Sequence, residues 1–156
     1  MYTMFANIKM PQSIFYTIVI ACSTLIFCES IQVLWRSGNP EYFELWGEKY
    51  MLVLYGHFFE RITVPVLLAL YTYVSFAKIR VGKLFCLVWE VMLIGGVISC
   101  AMEQDFSNIL YYIKLIAYGV NMIILLKLWQ VIDDEVQDRK LRLRARDEEL
   151  VNEHLV

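Results

Sequence analysis

The chain has 156 residues, 59% hydrophobic and 15% aromatic, and a mean hydropathy of +0.53. Soluble domains sit near 45–50% apolar, and here the excess falls into four blocks separated by short polar joints, which predicts several membrane spans rather than one water-soluble core. With 14 basic against 16 acidic residues the formal charge is -2, which argues against a nucleic-acid partner.

The lead to Gln12 carries Lys9 and Pro11, and Pro11 suits a helix start, where its missing N–H costs nothing. The first span is predicted over residues 13–34. It is longer than the roughly 7–15 apolar residues of a signal peptide, so it is read as retained. Glu29, Ser30 and Gln32 lie near its far end, and Trp35 and Arg36 follow as interface anchors.

The first joint opens on Ser37-Gly38-Asn39-Pro40, strong turn chemistry. Glu41, Glu44 and Glu48 make it acidic. Tyr42, Phe43 and Trp46 predict a short helix lying among headgroups. The second span, 50–77, holds His57, Glu60 and Arg61 within about one turn. Pro65 should kink it near Arg61 by removing one backbone hydrogen bond.

Lys78 to Lys83 is a tight basic turn. The third span, 84–102, holds Glu90 and the small residues Gly95, Gly96, Ser99 and Cys100, spaced for close helix packing. A short acidic joint leads to the fourth span, 109–132, with Lys114, Gly119, Asn121 and Lys127. Residues 133–156 form a charged tail without Gly or Pro, predicted to continue the last span as an exposed helix. Eight acids against five bases there argue against a strong patch for anionic lipids. The expected fold is an all-α, integral membrane four-helix bundle of residues 1–132 with a cytoplasmic C-terminal helical tail.

Lys78, Arg80 and Lys83 in the second joint, and the five bases of the tail, contrast with the acidic first joint and a third joint lacking Lys and Arg. The positive-inside rule then puts both termini in the cytoplasm, without distinguishing plasma membrane from endomembrane. Cys22, Cys28, Cys86 and Cys100 all lie inside apolar blocks, which argues against a disulfide framework.

This topology places Glu29, His57, Glu60, Arg61 and Lys114 in the outer half of the bilayer, with the two acids balancing Arg61 and Lys114. Ionised groups in low dielectric persist mainly by pairing. An interhelical network of these five residues facing the interior is therefore expected. It serves either as structural glue or as the lining of a polar cavity. Glu90 and Asn121 form a candidate inner-half pair, and Gly95, Gly96, Ser99 and Gly119 the candidate packing positions.

Nothing in the sequence calls for a cofactor. Only His57-x-x-Glu60 hints at metal binding, and the other histidine, His154, is in the tail. Nucleophile elbows, zinc-protease motifs and phosphate loops are absent, so no enzymatic activity is expected.

The short outer joints, basic inner turn and charged C-terminal helix are similar to the MARVEL-type and lysosome-associated four-span membrane proteins and their arthropod relatives. The likeness covers span layout. The paired loop cysteines of tetraspanins, the W…C…C loop of claudins and the proline–tyrosine tail motifs of the lysosomal group are missing, so it transfers no functional residue. The expected role is non-enzymatic: an accessory subunit or organiser of a membrane assembly. It would contact lipid and either a protein partner or further copies of itself through its spans or tail. The alternative is a transporter, channel protomer or lipid- or small-ligand-binding protein using an outer-half polar cavity.

Overall fold

The computed structural model describes residues 8–39, 44, 47–102 and 106–153, the side chains at 48 and 147–153 excepted. Among the described residues four long helices make up the fold: α1 (Gln12–Ser37), α2 (Tyr50–Ala77), α3 (Lys83–Met102) and α4 (Ile109–Glu153). Each is long and apolar enough to cross a membrane. The expected headgroup helix at Tyr42, Phe43 and Trp46 falls outside the described residues, as do residues 103–105 of the acidic joint and His154.

Local chemistry explains the boundaries. Pro11 is extended (φ -63°, ψ 140°) and immediately precedes α1. Gly47 takes a left-handed φ of 60°, open to glycine without a Cβ penalty, and begins a 3-10 turn at Gly47–Lys49 that feeds α2. Asn108 caps α4: its Oδ1 accepts from the Leu110 amide at 3.0 Å. Hydroxyls on the apolar helices turn back onto the preceding turn, as Thr24 does to the Ile20 carbonyl and Thr63 to that of Phe59. A polar side chain is thereby satisfied without water.

The α1 helix packs against α2 and α4, and α3 packs against α4. Contact between α2 and α3 is sparse, so the four-membered ring is nearly open at one seam. The core is aliphatic, with Ile14, Ile18 and Leu25 of α1 meeting Leu68, Leu93, Leu125, Leu128 and Ile132. Helix α2 runs unbroken through Pro65, which is buried and has no N–H to donate to the Arg61 carbonyl.

One end of the bundle carries the basic turn. There Ile8 and Val81 exchange two backbone hydrogen bonds of 2.8 Å as an isolated antiparallel bridge, stitching the lead to the α2–α3 turn. Lys83 pairs with Asp133 and lies 5.3 Å from the Trp129 ring centroid, a cation–π contact holding the start of α3 to α4. From Gln137 to Arg146 every α4 side chain is exposed, so the helix leaves the bundle as a rod. The continuous 45-residue helix absorbs the predicted fourth span and the described tail.

Candidate functional site

The most buried charge is Lys114, 1% exposed. Its Nζ donates to Glu29 Oε1 at 3.0 Å and to Gln32 Oε1 at 2.8 Å. Arg61 Nη1 approaches the other Glu29 oxygen at 3.8 Å. Three helices thus meet at one level: α1 supplies Glu29 and Gln32, one turn apart on one face, α2 supplies Arg61 and α4 supplies Lys114. The pairing answers the cost of removing these charges from water, and loss of either partner would strand the other. Gln32 is the member that sequence reasoning missed; its spacing of three from Glu29 was the available signal.

His57 and Glu60 do not join this cluster. Their side chains are 61% and 79% exposed, and His57 Nδ1 lies 3.8 Å from Glu60 Oε2. The expectation that all five residues face the interior is corrected by helical geometry. Arg61 lies in line with Leu54 and Leu68 at seven-residue spacing, whereas Glu60, about 100° further round the helix, falls at the edge of that stripe, where the cleft opens. The buried face of α2 runs through Tyr50, Leu54, Pro65, Leu68, Thr72 and Ser75, with Arg61 on the same stripe.

The inner-half pair is also corrected. Asn121 donates to the Ala117 carbonyl at 3.1 Å, and Cys22 Sγ lies 3.8 Å from Asn121 Oδ1. It therefore joins α4 to α1, not to α3. Glu90 Oε1 is buried without a hydrogen-bond partner, and so is Thr72 Oγ1. The neighbouring rings of Tyr71 and Trp89, 5.8 Å apart, put Thr72 and Glu90 at about the same height on α2 and α3.

Among the proposed packing residues, Gly96 faces a helix closely: a Cβ there would sit 2.6 Å from Tyr118 Cε1. Gly95 and Gly119 have nothing within 4 Å of a built Cβ, and Ser99 is exposed. The pattern marked a small-residue face on α3, but only one side of it meets α4. Gly95 and Ser99 look instead into the seam.

That seam contains a cleft of about 260 Å³. Glu60, Arg61 and Val64 of α2 line one wall, and Val91, Met92, Gly95 and Ser99 of α3 the other. Glu29 and Tyr118 reach it from behind. The Tyr71–Trp89 contact lies at its end toward the basic turn. The opposite groove, between α1 and α4, is lined by Thr17, Ile20, Ala21, Thr24, Ile113, Ile116, Ala117 and Val120 and contains no ionic group.

No cluster of three or more potential metal ligands occurs among the described residues. The arrangement can hold a complementary charge or a polar side chain at Glu60, between apolar walls and beside a rigid ion cluster. No family model, curated protein or solved structure matches this chain.

Proposed function

We propose that this is a multi-pass membrane protein acting by association, as an accessory subunit or organiser of a larger membrane assembly, and that the α2–α3 seam is its docking face. Both termini and the basic turn lie on the cytoplasmic side, and the α4 rod offers a second, cytoplasmic contact. The observation that carries this reading is the outward placement of His57 and Glu60. In a bilayer, charged groups turned to acyl chains are costly and normally face protein or water. The α2 and α3 spans are also the least buried of the four, with 17% and 22% of their apolar windows covered against 39% for α1 and 33% for α4. Lys114 and Arg61 are already engaged at Glu29, which leaves the seam as the bundle's unfinished polar surface.

Site-specific photo-cross-linking in the native membrane tests the proposal. A photoreactive residue at Met92 or Val91 should give a discrete protein adduct, and one at Ile20 or Ile116 should give only lipid adducts. Lipid adducts alone at all four positions, or protein adducts confined to Ile20 and Ile116, would overturn it. The cleft volume favours a second reading, a lipid or small molecule as occupant, and that reading predicts lipid or small-molecule adducts concentrated at Met92.

A further inference from the structure

We infer that the occupant of the α2–α3 seam is a transmembrane helix of another protein carrying a lysine or arginine, whose cation pairs with Glu60. The inference rests on the docking reading above and adds the chemistry of the partner. Glu60 is the most exposed member of the ionic groups lining or flanking the cleft, with His57 beside it at 3.8 Å. Arg61, next in sequence, is turned to Glu29 instead. Among the described residues no Lys or Arg side chain pairs with the exposed Glu60 carboxylate, and a cation is the complement that carboxylate lacks.

Depth selects a helix over a lipid. From the centre of α2 to Glu60, or from the centre of α3 to the facing Ser99, is roughly 5–10 Å at 1.5 Å per residue. The hydrocarbon boundary lies about 15 Å from the bilayer centre. A lipid ammonium would have to sink roughly 5–10 Å below its own headgroup layer to reach the carboxylate. A side chain on a spanning helix is already there. The wall supports such a neighbour: Gly95 is open and Ser99 lies one turn further on, so a backbone can approach α3 closely. A second copy fits less well. Rotation about the membrane normal keeps equal depths together, so two copies meeting through this seam would bring their Glu60 carboxylates face to face.

The test uses the full-length protein in phosphatidylcholine vesicles with fluorescent synthetic spanning helices of leucine and alanine. The helices differ only in one residue at the depth of Glu60: Lys, Leu or Glu. Energy transfer should report association of the Lys helix about tenfold tighter than that of the Leu helix. The preference should vanish in Glu60→Gln, a substitution at an exposed position whose folding is checked by circular dichroism. Equal association of the Lys and Leu helices, or a Lys preference that survives Glu60→Gln, overturns the inference. Energy transfer between differently labelled copies of the chain, abolished by Glu60→Gln, also overturns it in favour of self-association. Because the photo-cross-links do not depend on charge, protein adducts at Met92 without a Lys preference would remove this inference and leave the docking reading standing.

Discussion

At the scale of single residues, two polar side chains with buried atoms make opposite predictions. Lys114 is satisfied by Glu29 and Gln32, whereas Glu90 leaves one buried oxygen without a partner. Lys114→Met would leave the Glu29 carboxylate held by the more distant Arg61 alone and should cost up to about 3–5 kcal/mol. Adding Glu29→Leu and Gln32→Leu should recover most of that loss, with Arg61 reaching outward into the cleft. Glu90→Leu removes an unmet desolvation cost and should leave stability unchanged or raise it. Thermal unfolding in one detergent compares all of these. A Lys114→Met variant as stable as the parent would show that the cluster does not hold the helices together.

At the scale of elements, the helices were legible and their rotations were not. Apolar block length and turn residues located α2 at its observed bounds and the other three to within a few residues. Which face each helix presents depends on neighbours that periodicity does not name. The charges on α2 follow each other at three- and four-residue spacing, a pattern that also fits an inward face. The choice fell to Arg61 because the aliphatic stripe through Leu54 and Leu68 shares its side. The paired glycines of α3 show the same limit, since only Tyr118, unremarkable in sequence, reveals which of them is crowded. Gly96→Ala should therefore destabilise by about 1–3 kcal/mol, because a buried ring must move. Gly95→Ala, which meets nothing, should be neutral or gain up to about 1 kcal/mol of helix propensity. Melting curves of the two variants check the assignment; equal losses would mean that the α3–α4 contact is misplaced.

At the scale of the molecule, three helices form a firm unit and the fourth leans on it along one side. The charge balance of the sequence led to the expectation that Glu29, Arg61 and Lys114 lie at comparable depth and meet. It did not show that His57 and Glu60 stay outside that cluster, which depends on how four helices rotate together. The orientation proposed for the bilayer predicts that an impermeant maleimide supplied from the cytosolic side of sealed membranes labels cysteines introduced at Arg80 and Gln137 and spares one at Gly38. The reverse pattern would invert the topology. The bridge between Ile8 and Val81 adds a constraint on biogenesis. Its first half leaves the ribosome well before its second, so it cannot fasten until α2 and the turn after it have been made. The lead then works as a late latch. A bulky tag spliced in beside Met10 would leave every span inserted, yet free the hairpin to swing away from its neighbours.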